Sequence, residues 1–473
     1  MHTKTIAIAG ATGFIGSRLC QVLPTDFNVI ALSRRIRPET DGLQWRSCDL
    51  YDLDSCIGAL KGVDSAVYLV HSMMPSARLT QASFEDLDLI LADNFARAAQ
   101  QNGIKHIVYV GGLDPDTPDT SIHLSSRMEV EQVLANWVET VTALRAGLVI
   151  GHGGSSFEVL EDVVAKLPLI LCPSWTESKM QPIGVRNLVT LIRHALIEGG
   201  PDGCHDVGTD AIMTYKELMV KAAKQLNKNP VFLPSPIDNP ELSSLGVSIL
   251  TGKPTSLITP LLHSLKHDML TRHTVFQSQV IPKPQTFAEA FEEARQDKSN
   301  HGKEATKSRR KRLKKLKQES AVRSVQRMPM PKNRDAFWLA ERYLRWLPRA
   351  FRWIVRAEYV EGGISRMYLQ GTQILLLELR FQRARSTADR AVYTISDGTL
   401  VRPDTLGRGT FEFRIMLDPS VLITAIHDFH PRLPWYIYKV TQAQMHSLVM
   451  AKFSDYLEGI AAKDTFASEK NSE

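Results

Sequence analysis

Up to about Gly151, short apolar runs alternate with segments whose apolar positions recur every three or four residues. Uninterrupted apolar runs bounded by turn residues predict buried parallel strands, and the recurring positions predict helices between them. The strands are predicted at residues 5–9, 28–32, 43–46, 65–70, 106–110 and 140–144. Strands separated by helices in this way predict an α/β fold of the Rossmann type, with a doubly wound parallel sheet.

The first predicted strand runs directly into the sequence GATGFIG at residues 10–16. Gly10 allows a sharp turn, Gly13 lets the backbone approach a pyrophosphate, and Gly16 lets the following helix lie close to the strand. Glycines can also serve a tight turn for steric reasons alone. The strand before the loop and the helix after it favour a dinucleotide site. The predicted phosphate-binding residues are Gly10, Thr12, Gly13, Phe14, Ile15 and Gly16.

Three further strand ends are predicted to contact the dinucleotide. The second strand is followed by Ser33-Arg34-Arg35 and by no acidic residue, which favours the 2′-phosphate of NADP(H) over the ribose hydroxyls of NAD(H). The alternative is a solvated basic loop. Asp49-Leu50 follows the third strand and is assigned to the adenine, although an aspartate often only starts a turn. Leu69, Val70 and His71 end the fourth strand at the sheet edge where such folds bind ligands.

The chain after residue 151 is divided by composition. Residues 151–295 keep an α/β pattern interrupted by prolines and complete domain 1–295 with the expected substrate cleft. Residues 296–335 are predicted to be a basic, disordered linker, with the cations concentrated from Lys303 to Lys317. Such a block can contact an anionic membrane, but it can equally be a solvated spacer.

The C-terminal third is predicted to be an α+β domain at residues 336–462, followed by a tail at 463–473. Residues 342–356 form an amphipathic pattern, with an arginine face that either rests on a membrane or packs on its own domain. Strand patterns then precede a long helix at 436–460, an order that resembles the helix-grip fold of lipid-binding proteins. His427 and His430 suggest a metal at first sight, but no further ligand set accompanies them, so no metal is predicted.

Composition adds few constraints. The net charge of +6 is modest, and no specific nucleic acid is expected as a partner. The five cysteines are scattered without metal-type spacing, as in reduced cytosolic proteins. With no apolar run of membrane-spanning length and no room for a signal peptide before the first strand, we expect a cytoplasmic location, with membrane association as the alternative.

These motifs resemble the atypical short-chain dehydrogenase/reductases, and more closely a bacterial NmrA-like branch with a C-terminal domain of unknown function. The resemblance rests on residues 10–16, 48–50, 68–73, 109–113 and 144–151, and continues through 154–160, 181–183 and 264–270. It implies a Rossmann core, NADP(H) as cofactor and a substrate cleft formed after residue 151. The residues assigned to that cleft are Gly111, Gly112, Arg145, Phe157 and Glu158, of which Arg145 and Glu158 can equally form structural ion pairs.

The chain departs from the family in the residues that usually perform catalysis. Typical members use a serine on the fifth strand and a tyrosine and a lysine four residues apart. This chain has Gly111-Gly112 at the serine position and His123 and Arg127 at the spacing of the other pair. His123, Arg127 and His71 are therefore the catalytic candidates, and His71 can instead cap a helix.

The function predicted from the sequence is reduction of a small apolar, quinone or lipid-like carbonyl compound with NADP(H). Two alternatives remain. One is a redox sensor or assembly factor that binds NADPH without turnover, as some NmrA-like proteins do. The other is a lipid-binding protein at a membrane surface.

Overall fold

The computed structural model describes residues 3–35, 37–40, 42–72, 79–236, 238–301, 322–417 and 420–470. Their contacts divide the chain into two units. The first holds the described residues up to 72 and from 91 to 301, and the second holds those from 79 to 90 and from 322 to 470. The division differs from the predicted domains, because residues 79–90 group with the C-terminal part of the chain.

The elements up to residue 301 alternate between strands and helices. The strands are β1 (Thr5–Ala9), β2 (Asn28–Ser33), β3 (Leu43–Ser47), β4 (Ser65–Tyr68), β5 (Leu79–Gln81), β6 (His106–Gly112), β7 (Thr140–Ala146), β8 (Val149–Ile150), β9 (Leu169–Cys172), β10 (Lys179–Met180), β11 (Ile183–Gly184), β12 (Gly203–Val207), β13 (Met213–Thr214) and β14 (Val231–Pro234). The helices are α1 (Phe14–Val22), α2 (Leu53–Ala59), α3 (Phe84–Gln101), α4 (Ile122–Trp137), α5 (Ser155–Lys166), α6 (Val185–Glu198), α7 (Tyr215–Gln225), α8 (Pro240–Thr251), α9 (Thr255–Ser264), α10 (Val275–Val280) and α11 (Phe287–His301).

The first unit is built on a seven-stranded sheet in the order β12-β7-β6-β4-β1-β2-β3. All neighbouring strands in it are parallel, and Ile8 pairs with Ala31 on one side and Val67 on the other. The order reverses between β1 and β4, which opens a crevice at the carboxyl ends of these two strands. The predicted doubly wound Rossmann-type sheet is confirmed.

Burial explains why the predicted strands were uninterrupted apolar runs. Ile6 and Ile8 on one face of the sheet and Ala7 and Ile107 on the other have no exposed surface, so both faces of the central strands are covered. A second cluster of buried side chains gathers around α5, α7, α9 and α11. It holds the segment after residue 151 as a packed layer rather than as loose loops.

The second unit has a largely antiparallel sheet packed against helices. Its remaining strands are β15 (Val322–Met328), β16 (Val355–Val360), β17 (Ile364–Leu369), β18 (Leu375–Phe381), β19 (Arg390–Asp397), β20 (Thr410–Met416) and β21 (Val421–Phe429). Its helices after residue 322 are α12 (Ala336–Ala350), α13 (Trp435–Val440) and α14 (Gln442–Lys470). The eight strands run β16-β17-β18-β19-β20-β21-β15-β5, with only β15 and β5 parallel. The predicted α+β class is confirmed, whereas the helix-grip assignment is not.

Two predicted boundaries in the C-terminal half need correction. The predicted linker at 296–335 begins inside α11 and contains β15, which lies between β21 and β5 in the sheet. The cations from Lys303 to Lys317 lie outside the described residues. The predicted helix at 436–460 is two helices, because Thr441 adopts φ −122° and ψ −86° between α13 and α14.

The amphipathic segment at 342–356 also differs from its prediction. Its first part belongs to α12, whose apolar side packs on its own domain through Tyr343, Leu344 and Leu347. Pro348 lies in the last turn of this helix. Residues 355–360 are a strand, β16. The open choice between membrane and domain is thus decided in favour of domain packing for the helix itself.

Candidate functional site

The glycine loop has the close packing that a phosphate-binding turn requires. Gly10 has φ +87°, and its carbonyl accepts a hydrogen bond from the Gly13 N–H at 2.8 Å. A Cβ on Gly16 would lie 2.3 Å from the Gly10 carbonyl oxygen. Helix α1 therefore begins directly at the loop, and its first N–H groups, from Phe14 and Ile15, are available to an anion.

Phe14 is held in place by the segment after β8. A Cβ on Gly151 would lie 2.8 Å from the Phe14 ring, and one on Gly154 would lie 3.1 Å from it. The Arg18 guanidinium lies 4.8 Å from the centre of the same ring and pairs with Asp297 at 3.0 Å. Gly151 and Gly154 thus let the loop between β8 and α5 pack over the start of α1. Thr12 at the tip of the glycine loop is exposed.

The predicted adenosine contacts lie at the ends of β2 and β3. Arg34 and Arg35 are exposed, and the Ser33 hydroxyl accepts a hydrogen bond from the Arg35 N–H at 3.3 Å. Asp49 Oδ1 accepts from the Tyr51 N–H at 3.2 Å, so this carboxylate does start a turn. The Leu50 carbonyl accepts from Asn94 Nδ2 at 2.9 Å, which fixes the loop beside it. The assignment of these residues to the cofactor stays a prediction.

The end of β4 brings the three catalytic candidates together. Leu69 lies under the glycine loop, because a Cβ on Gly10 would be 3.0 Å from its carbonyl oxygen. The next carbonyl, that of Val70, accepts from Arg127 Nη1 at 3.5 Å. The ring of His71 lies 5.2 Å from the ring of His123, measured between centres. Residues from β4 and α4 that are far apart in sequence thus meet at one edge of the sheet.

A side chain at Gly111 or Gly112 would make a tight contact with a neighbouring side chain. A Cβ on Gly111 would lie 3.0 Å from the Tyr109 ring, and one on Gly112 would lie 3.1 Å from Leu124 Cδ2. Tyr109 also donates its hydroxyl hydrogen to the Arg127 carbonyl at 3.0 Å. Helix α4 packs closely on β6 at Gly112, and a serine at either glycine would require the neighbouring side chain to shift by a few tenths of an ångström.

A small apolar cavity of about 120 Å³ lies next to these glycines. Its wall includes Gly112 from the end of β6, Ala146 from the end of β7, His123 from α4, and residues of α5 and α9. The remaining lining residues are Leu124, Gly147, Leu148, Ser156, Val159, Met180, Tyr215, Ile258, Leu261, Leu262, Ser264, Leu265 and Met269. Because parallel strands end at the same edge, this cavity and the glycine loop share the carboxyl edge of the sheet.

His123 is anchored by two serines from different elements. Its Nδ1 lies 3.0 Å from the Ser264 hydroxyl at the end of α9, and that hydroxyl lies 3.0 Å from the Ser121 hydroxyl. The Ser264 hydroxyl also lies 3.0 Å from the Pro260 carbonyl, which can only accept a hydrogen bond. If Ser264 gives its single hydrogen to this carbonyl, it accepts from Ser121 and from His123. In that arrangement the neutral His123 ring carries its proton on Nδ1 and keeps Nε2 as the accepting nitrogen.

Three further residues assigned to the substrate cleft do not line this cavity. Phe157 is a core residue, since only 2% of it is exposed and its ring packs on Phe291 at 5.2 Å between centres. Arg145 donates to both carboxylate oxygens of Glu131, at 2.9 and 3.0 Å. Glu158 pairs with Lys253 at 2.7 Å. Arg145 and Glu158 form ion pairs, and Phe157 does not line this cavity, so the assignment of the three residues to the substrate cleft stays a prediction.

Two cavity residues could not be identified from the sequence. Ser264 reaches His123 across 141 positions of the chain, and only the fold joins them. Tyr215 begins α7, lines the cavity and is buried, which raises the pKa of its hydroxyl well above the usual range. A tyrosine in an apolar wall keeps its proton, so it can donate a hydrogen bond but is a weak acid.

Comparison with known proteins supports the assignment of the first domain. Residues 10–146 match the family model described as NAD(P)H-binding. The auxiliary protein GraX of Staphylococcus aureus is 36% identical over 110 residues, which is 23% of this chain and 36% of GraX. The chain thus spans about a third of that relative. The N-acetyl-alpha-D-glucosaminyl-diphospho-ditrans,octacis-undecaprenol 4-epimerase of Escherichia coli O157:H7 is 23% identical over 259 residues, 49% of this chain and 76% of the epimerase.

Among solved structures, the NADPH-dependent quinone oxidoreductase QOR2 of Escherichia coli in complex with NADPH gives a TM-score of 0.49. The two chains are 21% identical, and the comparison covers 61% of this chain and 98% of the other. The predicted NAD(P)H-binding domain is confirmed by the family model.

Proposed function

We propose, from the premise that residues 10–146 are an NAD(P)H-binding domain, that the protein is an NADP(H)-dependent oxidoreductase. Its substrate is a small apolar carbonyl or quinone compound that enters the cavity beside His123. The observation that carries the proposal is the position of that cavity at the carboxyl edge of the sheet, which it shares with the glycine loop. Its apolar wall, with few polar groups, favours an uncharged substrate.

The preference for the phosphorylated cofactor rests on the end of β2. Arg34 and Arg35 are exposed there, and guanidinium groups bind phosphate with charge-assisted hydrogen bonds. Cavity size limits the substrate. About 120 Å³ is well below the roughly 300–1,000 Å³ of sites for drug-sized ligands. A compact ring fits this space, and a larger substrate requires α9 to move outward.

The nicotinamide cofactor supplies a hydride when it is bound. That hydride would reduce a substrate carbonyl carbon, and Nε2 of protonated His123 would supply the proton that the carbonyl oxygen needs. Ser264 acts as a positioning residue, because its hydroxyl lies 3.0 Å from His123 Nδ1 and accepts the Nδ1 hydrogen of the protonated ring. Apolar residues of α9, among them Leu261 and Leu262, exclude water from the cavity.

The test is stopped-flow oxidation of NADPH against a panel of small carbonyls and quinones. We expect turnover with at least one compact apolar acceptor. His123→Asn keeps a donor for Ser264 but removes the titrating nitrogen, so it should lower the rate by about 10²–10⁴-fold with unchanged NADPH affinity. The matched control is His273→Asn at an exposed position outside the cavity wall. Equal activity of the His123 variant and the wild type would refute the proposed role.

A second candidate function is a sensor that binds NADPH without turnover. It is favoured by Arg127, which stands where the family has its lysine yet donates a hydrogen bond to the Val70 carbonyl. In the family, the lysine lowers the pKa of the catalytic tyrosine. Arg127 has no such tyrosine to act on, because His123 stands at the tyrosine position. NADPH binding by calorimetry, with no oxidation by any acceptor of the panel, would favour this function over the reductase.

A further inference from the structure

The loop that follows α12 exposes a large aromatic side chain. Trp353 is 78% exposed and the neighbouring Ile354 is 39% exposed. The domain core does not account for them, because α12 packs on the sheet through Tyr343 and Leu347 instead. Leaving a tryptophan in water forgoes a substantial gain from burial. An exposed tryptophan beside an exposed isoleucine indicates a contact surface.

Cations surround this tip. The Arg352 guanidinium lies 5.0 Å from the centre of the Trp353 ring. Arg349 in the last turn of α12 is exposed, and Lys452 on α14 is exposed as well. Asp455 is the acidic residue among those lining the adjacent groove. The surface is therefore positively charged around an apolar tip.

The groove between α12 and α14 extends the apolar surface. It has a volume of about 450 Å³ and is lined by Trp346, Ala350, Phe351, Leu448, Lys452, Asp455 and Tyr456. Leu448 is 47% exposed, and Met445, one turn earlier on the same helix, is 44% exposed. Aromatic and aliphatic walls with a lysine at the rim suit an amphiphile whose polar end is anionic.

We propose that this surface, formed by Arg349, Arg352, Trp353, Ile354 and Lys452, docks the protein on an anionic lipid bilayer. Trp353 and Ile354 enter the interfacial layer, where an indole keeps its N–H among polar head groups while its ring leaves water. The three cations lie against lipid phosphates. Two exposed apolar side chains with cations beside them match the apolar and anionic layers of such an interface.

The proposed surface narrows the membrane contact expected from the sequence. That expectation relied on the basic block from Lys303 to Lys317 and on the arginine face of residues 342–356. The block lies outside the described residues, and the apolar side of α12 is buried in the second unit. The proposed surface uses the end of α12, the loop at 351–354 and Lys452 of α14, and it is independent of the proposed oxidoreductase function.

The test is co-sedimentation of the full chain with vesicles of phosphatidylcholine alone or mixed in equal parts with phosphatidylglycerol. We expect binding to the mixed vesicles that weakens as salt is added. Arg349→Glu with Arg352→Glu should weaken binding by at least about fivefold for each residue. Trp353→Ser with Ile354→Ser should weaken it by about tenfold or more. NADPH binding of both variants, measured by calorimetry, should equal that of the wild type.

Two control variants separate this surface from general effects of charge and hydrophobicity. Lys221→Glu with Lys228→Glu makes the same change in net charge at exposed positions of the first unit. Ile249→Ser removes a side chain that is 78% exposed, also in the first unit. Both controls should sediment like the wild type. Absence of wild-type binding, equal binding by the Trp353 and Ile354 variant, or an equal loss in the lysine control would each overturn the proposal.

Discussion

Replacing Gly16 by alanine is expected to disable the glycine loop. The added Cβ would lie 2.3 Å from the Gly10 carbonyl oxygen and 2.8 Å from the Ala11 Cα. Both are backbone atoms, so rotation of a side chain cannot relieve the clash. Ordinary contact begins at 3.4 Å, which means that α1 must move away from the loop by about 1 Å.

The energetic cost follows from this displacement. Overpacking of a tight contact costs about 1–3 kcal/mol, and the gain in helix propensity from glycine to alanine returns roughly 0.5–1 kcal/mol. We therefore expect a net loss of about 1–2 kcal/mol in the free energy of unfolding. A shift of about 1 Å also lengthens the N–H contacts to a phosphate, and each such bond to a charged group is worth about 1.5–3 kcal/mol. The affinity for NADPH should fall by about tenfold to a hundredfold.

Urea unfolding and calorimetric titration with NADPH measure the two effects. The matched control is Gly246→Ala in α8, where a Cβ meets no atom within 4 Å. The control should gain about 0.5–1 kcal/mol of stability and bind NADPH like the wild type. If Gly16→Ala binds NADPH with unchanged affinity, the close packing of α1 on the loop does not form the phosphate site, and our reasoning is refuted.

Three further outcomes are expected. Replacing Arg34 and Arg35 together by serine should weaken NADPH binding about tenfold in calorimetry and leave NADH binding unchanged, since NADH lacks the 2′-phosphate; an equal effect on both cofactors would contradict this. Ser264→Ala should lower kcat of NADPH oxidation about tenfold and move the pH profile, with the KM for NADPH constant, because His123 loses its acceptor; an unmoved profile would count against it. Burial lowers the pKa of His446 from 6.5 to about 4. The unfolded chain therefore takes up this proton at a higher pH than the folded chain, and stability falls as pH drops from 6.5 towards 4. His446→Gln should lose less stability than the wild type between about pH 7 and pH 5 in urea unfolding. An identical loss would show that His446 does not contribute to the pH dependence of stability.

The parallel sheet was predictable because its central strands are buried on both faces. Ile6 on one face and Ala7 and Ile107 on the other have no exposed surface, and burial of this kind demands the uninterrupted apolar runs seen in the sequence. β12 at Gly203–Val207 escaped prediction, since it carries His205 and Asp206. The Asp206 carboxylate accepts backbone N–H groups from Arg272 and His273, a pairing that no local pattern reveals.

The C-terminal sheet was predicted less completely. β15 has the sequence VRSVQRM and follows a basic segment. Its two arginines therefore suggest that the basic linker continues. Its valines Val322 and Val325 are nevertheless buried in the structure. β5 has three residues and lies more than 200 positions before β15, its partner in the sheet. Pairing across such a separation depends on the whole fold and leaves no trace in local periodicity.

The candidate site likewise combines a local feature that the sequence predicts with tertiary features that it does not predict. The glycine loop is local, and each glycine has a steric task that its spacing already indicates. The cavity is assembled from α4, α5, α7 and α9, so its wall depends on how these helices pack. Phe157 was assigned to the cleft by position in the chain, yet its ring points to Phe291 in the core. Ser156 and Val159, its neighbours on the same helix, line the cavity instead.

The most direct test of the whole account is calorimetric titration of the full chain with NADPH and, separately, with NADH. The account predicts saturable binding of one NADPH per chain, with NADH binding at least about tenfold more weakly because it lacks the phosphate that Arg34 and Arg35 face. Absence of binding heat with both cofactors, across the temperatures at which the chain stays folded, would contradict the assignment of the glycine loop as a dinucleotide site.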